Sequence, residues 1–581
     1  MCGIAGLVRF DGGALARQDR ARTMRSRLRH RGPDGEGEWA SPDAVLEHTR
    51  LALLDRERGA QPMTTAKGRY ALVFNGEIYN HDELRQELAF PFRTRSDAET
   101  LLAAFATWGP SCVRRLNGMF AFFVWDAVAR RGFAARDALG VKPFAYAWDG
   151  DELLFASEAH VVARALGPSI RARREAILEY LVAPYFSGVG RAMLTDVDYL
   201  QPGHWLEVGP DGPIARRWFR YEVARQGPAP DPGELGACLE RAVRRACRAD
   251  EPVGVFLSGG LDSSAIGSLA AQALPARPPA YTIAVEDMDR YDYARSAIVV
   301  SDDTPFAELA SRTANLALTR VHVPRAELAR DLERIASTND ALPAWEQELA
   351  QDRLCRVAAR DVKAVLVGDA ADETHFGYHF LLDGPATESP RVLLERFGSV
   401  PIRRDVMADP LAVFEAEYRA WMAPAETRTE RIAGATSLIV ERWLPRLLHN
   451  GDIHAMRSGL EARVPFADAE LLALAARVPP DVGLAGGVEK ALLREALRGV
   501  IPEAIRTRRK SALPKDQGTA SIYKREATRL LQEPPALVTE LVDLPALRPL
   551  LHPERPLGEW ERAALFRIIV LCHFARHHGI P

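Results

Sequence analysis

The chain has 581 residues, of which 47% are hydrophobic and 26% charged, and its formal net charge is −3. That length exceeds what one hydrophobic core usually supports, so two or more domains are expected. A balance this near neutrality argues against a broad nucleic-acid or anionic-membrane surface, and the cysteines at 2, 112, 238, 247, 355 and 572 have no metal-ligand spacing.

The first element in chain order is "MCGI". Cys2 follows the initiator methionine with no apolar stretch before it, which is not a lipoprotein signal. Two readings stand. Cys2 is a small apolar residue opening a strand, or the methionine is removed and Cys2 becomes an N-terminal nucleophile with its own α-amino group as base. The lack of a signal peptide makes a reducing cytoplasm the expected compartment.

The first ~205 residues are β-rich. "RYALVFNGEIYN" (69–80) predicts a strand ending in a turn at Asn75-Gly76. "DAETLLAAFATWG" (97–109) has helical spacing, and "MFAFFVWD" and "GFAARDA", joined by "AVARR", predict a hairpin with one buried face. Strands and helices of this kind suggest layered sheets covered by helices. Residues 206–233 turn polar, with "GPDGP" and "QGPAPDPGE", which sets domains at 1–215 and 216–581.

The period then changes. "ELGACLERAVRRACRA" is an amphipathic helix, "PVGVFL", "AYTIAV" and "KAVLVG" are short buried strands, and "SSAIGSLAAQAL" is a helix. That order predicts a parallel sheet wound on both faces. After ~400 the chain reads as mostly helical. Its tail, "AALFRIIVLCHFA", carries Arg567 and is too short to span a bilayer.

"VFLSGGLDSSAIG" (255–267) runs from a buried strand through Ser258-Gly259-Gly260 into a helix opening near Asp262. Glycines let backbone approach an anion, and amides at the helix start point at it. No Walker pattern occurs. S-G-G-x-D-S instead fits a pyrophosphate loop of enzymes that split ATP between its α and β phosphates and adenylate a substrate. "VLVGDAADETHFGY" (365–378) follows another strand, so both loops would emerge at the sheet's carboxyl edge. Asp262 and Asp372 would there hold Mg²⁺ on the pyrophosphate; a solvated acidic cluster is the other reading.

These motifs resemble the glutamine-dependent asparagine synthetases of the bacterial B type, over nearly the full length. "RHRGPDGEG", "RLALLD", "NGEIYN" and "SDAET" are similar to class II glutamine amidotransferases; "SGGLDSS", "GDAADE", "LEARVPFAD", "EKALLREAL" and "RTRRK" are similar to the synthetase domain. The resemblance implies an αββα sandwich of N-terminal-nucleophile type, followed by a doubly wound α/β domain of PP-loop ATP pyrophosphatase type with a helical tail. It implies that Cys2 attacks glutamine, that Asn75 and Gly76 form the oxyanion hole, and that Arg50 holds the substrate carboxylate. Leu51 and Leu54 would line that pocket, and Glu77 and Asp97 would bind the substrate's ammonium. ATP would lie over Leu257, Ser258, Gly259, Gly260, Leu261, Asp262, Ser263 and Ser264, with Val285, Val367 and Gly368 along the adenosine.

Asp369 takes the place of an acidic residue needed for an aspartyl-adenylate, and Lys490 would approach the phosphates. Arg508 and Lys510 are further phosphate contacts or a solvated basic face. Ammonia would pass internally from Cys2 to the adenylate, and relatives commonly pair, so a homodimer belongs to the expectation. The acceptor is aspartate or another carboxylate, such as a cell-wall precursor or natural-product intermediate; intramolecular ring closure ranks lower. The chain departs from the family pattern at Ala370, which replaces a glycine, and at His375 and Phe376 beside the acceptor region. The polar stretch 286–304 is longer than typical and reads as a lid or a surface excursion.

Overall fold

The computed structural model describes residues 2–184, 189–274, 277–288, 291–293, 299–338, 342–382, 400–409, 412, 415–416, 419–420, 425–511 and 517–580. Its first part carries β1 (Cys2–Arg9), β2 (Gly35–Ala40), β3 (Ala44–Arg50), β4 (Met63–Thr64), β5 (Tyr70–Ile78) and β6 (Gly118–Asp126). There follow β7 (Arg131–Arg136), β8 (Ala145–Trp148), β9 (Glu152–Ala156), β10 (Asp198–Tyr199), β11 (His204–Gly209) and β12 (Gly212–Arg217). They form two six-stranded sheets, ordered β10-β8-β9-β1-β3-β2 and β12-β11-β7-β6-β5-β4, with antiparallel neighbours throughout.

Alternation along each strand shows why the sheets stack. In β6, Ala121, Phe123 and Trp125 face the layer between the sheets, whereas Phe120, Phe122 and Val124 face outward onto helix α1 (Asp97–Trp108). Both faces are covered, so the strand reads as one apolar run although its side chains alternate with period two. Phe123 and Phe144 stack on Phe155 at 4.4 and 5.3 Å, closing the middle layer. Helices outside two packed sheets give the αββα sandwich. One expectation fails: Asn75-Gly76 is no turn. β5 continues through Asn75↔Ala121 and Gly76↔Phe120 to Ile78, because nonlocal pairing with β6 overrides the local turn preference.

Beyond β12, α2 (Pro232–Ala246) opens the second part, capped by Asp231, whose side chain accepts from Gly233 N. β13 (Val253–Phe256), β14 (Pro279–Ala284), β15 (Ala317–His322), β16 (Ala364–Leu366) and β17 (Glu461–Arg463) make one parallel sheet, ordered β15-β14-β13-β16-β17. Among its helices are α3 (Leu261–Ala273), α4 (Gln347–Ala358), α5 (Ala371–Thr374), α6 (Leu444–Met456), α7 (Ala491–Ala496) and α8 (Glu559–His578). A π-helical turn, Ile439–Trp443, leads into α6. The strand order reverses between β13 and β16, the point where doubly wound sheets bind ligands. The tail expectation holds as a largely buried α8, and no helix among the described residues is long and apolar enough to cross a membrane.

Candidate functional site

Cys2 opens β1 in register with Arg50 and is 8% exposed. Its backbone N–H donates to Asn75 Oδ1 at 3.0 Å, across from the sheet that carries β5. Burial raises the thiol's pKa, while the Leu51 N–H and the Arg50 charge pull it back. Asn75 is fully buried, and its Nδ2 has no hydrogen-bond partner among the described residues. A buried, unpaired donor beside a thiol is a feature that needs a function, and an oxyanion supplies one. Gly76 has φ +153°, and a Cβ there would stand 2.1 Å from Met119 O, so only glycine fits.

Arg50 extends from the end of β3 and donates to the carbonyls of Leu54, Asp55 and Arg56 at 3.1, 2.7 and 2.7 Å, bracing that loop. Asp97 begins α1; its carboxylate accepts from Ile78 N at 3.0 Å and Ala98 N at 2.9 Å. Glu77 is buried, and burial followed by the charge of Asp97 pushes its carboxyl well above the usual range. The structure therefore brings Cys2, Arg50, Leu51, Asn75, Gly76, Glu77 and Asp97 to one end of the sandwich, with half-buried Leu54 on the loop that Arg50 holds.

A layer of buried charge joins this end to the second part. Arg31 donates to Cys2 O at 3.2 Å, Glu158 Oε1 at 2.9 Å and Asp452 Oδ2 at 2.6 Å; Lys142 donates to Asp452 Oδ1 at 3.2 Å. Arg463 donates to Glu77 Oε2 at 3.2 Å and Glu461 Oε1 at 2.5 Å. Apart from Cys2 and Glu77, sequence reasoning assigned none of these residues a role. The available signal was charge inside apolar surroundings, such as "EAR" between Leu460 and Val464.

At the switch point, Ser258–Gly260 leads into α3, with Gly260 as N-cap. Gly259 has φ +78°, and a Cβ there would meet Ala307 N at 2.4 Å. The second loop packs against the start of α3, since a Cβ on Gly368 would stand 3.1 Å from Asp262 Cβ and Ser263 N. Together they line a cavity of about 510 Å³. Leu257, Ser258, Gly260, Leu261, Asp262 and Ser263 line one side; Val285, Val367, Gly368, Asp369, Asp372 and Lys490 line the rest of the expected set. Gly259 and Ser264 lie behind this surface, Ser264 being buried in α3.

Lys490 Nζ stands 2.5 Å from Asp262 Oδ2 and 2.6 Å from Asp372 Oδ1, and Lys510 also pairs with Asp372. Both carboxylates thus converge on one cation position. Asp262 Oδ1 is buried without a hydrogen-bond partner among the described residues, so the donor set suits a hard divalent ion. Lys490 has φ 56°, a left-handed conformation that costs a non-glycine residue energy and tends to mark functional positions. Arg508 is not a solvated face: it donates to Gly259 O at 3.1 Å and Asp303 Oδ1 at 2.6 Å, bracing the loop. Burial, then the charges of Asp372 and Asp262, raise the Asp369 carboxyl to about 6.

Ala370 occupies φ 71°, so the glycine it replaces sits at a position that favours one. Phe376 (φ 59°) is 1% exposed with its ring against Gly483, outside the cavity lining; it does not reshape the pocket directly. His375 is a packed imidazole. Its Nδ1 shares a 2.8 Å hydrogen bond with Thr374 Oγ1, and burial pulls its pKa to about 3. Of 286–304, Met288 and Asp302–Thr304 line the cavity, while 289–290 and 294–298 lie outside the described residues.

Residues 1–219 match the glutamine amidotransferase domain family, and residues 234–570 match the asparagine synthase family. Among curated proteins, asparagine synthetase [glutamine-hydrolyzing] 3 of Bacillus subtilis is 32% identical, covering 89% of this chain and 87% of that protein. Asparagine synthetase [glutamine-hydrolyzing] 1 of Bacillus subtilis is 28% identical (88% and 87%), and asparagine synthetase B [glutamine-hydrolyzing] of Escherichia coli is 28% identical (88% and 81%).

Proposed function

The chain belongs to the family of glutamine-hydrolysing asparagine synthetases, and on that premise we propose that it converts aspartate, glutamine and ATP into asparagine, glutamate, AMP and pyrophosphate. As a member it is a ligase with glutamine as amide donor. Cys2, once it is the first residue, attacks the side-chain amide of glutamine. Its buried thiol is neutral at rest, so the proton passes to the α-amino group as the carbon–sulfur bond forms. Asn75 Nδ2 and the Gly76 N–H receive the developing oxyanion. Arg50 takes the substrate carboxylate, and Glu77 with Asp97 its ammonium. Ammonia departs, and water hydrolyses the thioester to glutamate.

In the second half the ATP pyrophosphate lies over residues 258–264. The side-chain carboxylate of aspartate attacks the α-phosphorus, releasing pyrophosphate and leaving aspartyl-AMP. A magnesium ion held by Asp262 and Asp372 would neutralise charge on the departing pyrophosphate. Lys490 exchanges these carboxylates for phosphate oxygens as the nucleotide binds. Ammonia then attacks the acyl carbon, AMP leaves, and Asp369 accepts the proton; a carboxyl with a pKa near 6 suits that task.

The supporting observation is the meeting of the two loops, with Asp262 and Asp369 in one cavity at the switch point. Incubation with aspartate, glutamine and ATP tests the reading: asparagine and AMP are expected in equal amounts. Active glutamine hydrolysis without asparagine would overturn it.

A further inference from the structure

β17 belongs to the sheet of the second half, yet its last residue reaches into the first. Arg463 is completely buried, and its guanidinium is committed on every side. Nη1 donates to the carbonyls of Ala246 and Arg248 at 2.8 and 2.5 Å, Nε to Glu461 Oε1 at 2.5 Å, and Nη2 to Glu77 Oε2 at 3.2 Å. Glu77 is therefore fixed by a cation from the other half of the molecule. The need for that cation follows from its surroundings. Glu77 is buried with Asp97 nearby, and two desolvated carboxylates are costly without a paired positive charge.

Arg463 also touches the other site. Its carbonyl accepts from Val367 N at 2.9 Å, at the start of the loop that carries Asp369. One residue thus contacts Glu77 through its side chain and the acceptor loop through its backbone. A packing role alone leaves unexplained why a planar, five-donor cation is spent on a carboxylate of the opposite domain.

We propose that Arg463 is a positioning residue of the glutamine site, by which the synthetase half orients the Glu77 carboxylate toward the ammonium of glutamine. This rests on the reading of Glu77 and Asp97 as the ammonium site. Glutamine recognition then depends on the docked second half, not on the amidotransferase fold alone.

Calorimetric titration of glutamine into the full chain carrying Cys2→Ala tests it, with ATP binding followed in the same samples. Arg463→Met is expected to weaken glutamine binding at least roughly tenfold, the scale of one lost charge-assisted contact, and to leave ATP binding intact. Arg463→Lys restores a cation and is expected to recover part of the loss. Because methionine at a buried arginine site can disturb folding, Glu77→Gln reads the same contact from the other side. It should weaken glutamine binding and make Arg463→Lys nearly silent when the two are combined. Unchanged glutamine affinity in Arg463→Met with ATP binding intact would overturn the inference, as would additive losses in the Glu77→Gln/Arg463→Lys pair. Unchanged affinity in Glu77→Gln alone would instead overturn the assignment of Glu77 itself, and the inference with it.

Discussion

In the first half, the groups assigned to chemistry sit on continuous antiparallel strands: Cys2 opens β1, Arg50 ends β3, and Asn75–Glu77 lie inside β5. In the second half, Ser258–Gly260 and Gly368–Ala370 occupy loops where parallel strands hand over to helices, and Asp262 and Asp372 lie in the first turns of those helices. The difference matches the two reactions. Pairing with β3 holds Cys2 and pairing with β6 holds Asn75 before any substrate arrives, the preorganisation that covalent catalysis requires. A loop that cradles phosphate leaves its amides and carboxylates to be completed by the ligand. Here Lys490 and Lys510 compensate those carboxylates in the meantime.

If the halves are independent chemically, substitutions should separate them. The largest effect is expected for Cys2→Ala, which should lower glutamine-dependent amide formation by about a thousandfold or more. Ammonia-supported pyrophosphate release should persist; loss of both would break the separation. Asn75→Ala removes the unpaired donor and should lower the kcat of glutamine hydrolysis by roughly 10²–10³-fold, measured as glutamate release. A change confined to KM would mean that Nδ2 binds the substrate and does not stabilise charge in the transition state.

Asp262→Asn should lower pyrophosphate release by about 10–100-fold while glutaminase activity survives, and a parallel fall in glutaminase activity would contradict the division. Gly259→Ala is the mildest. Its Cβ would press on the Ala307 amide in a left-handed conformation, so a loss of about 1–3 kcal/mol is expected in denaturant unfolding. Glutamate release should be unaffected.

Legibility in the sequence divides along another line. The loop Ser258–Gly260 is readable because its information is local: a buried strand, two glycines and an acidic residue at a helix start lie within one short stretch. The hairpin of β6 and β7 and the helix α1 are readable for the same reason. Asn75-Gly76 misleads because its conformation is set by β6, some forty-five residues away in sequence. β17 is invisible to periodicity at three residues, and the roles of Arg31, Asp452 and Arg463 exist only once distant segments meet. Lys490 shows the limit of motif reasoning: its position was legible, but its present partners, Asp262 and Asp372, were not.

In the proposed reaction, nitrogen released at Cys2 is delivered inside the molecule to a carboxylate activated between the two loops. Supplying glutamine labelled with nitrogen-15 in its side-chain amide, together with aspartate, ATP and a large excess of unlabelled ammonium, tests this most directly. Internal delivery should give asparagine whose amide nitrogen remains predominantly labelled. Label diluted to the composition of the bulk ammonium would contradict it.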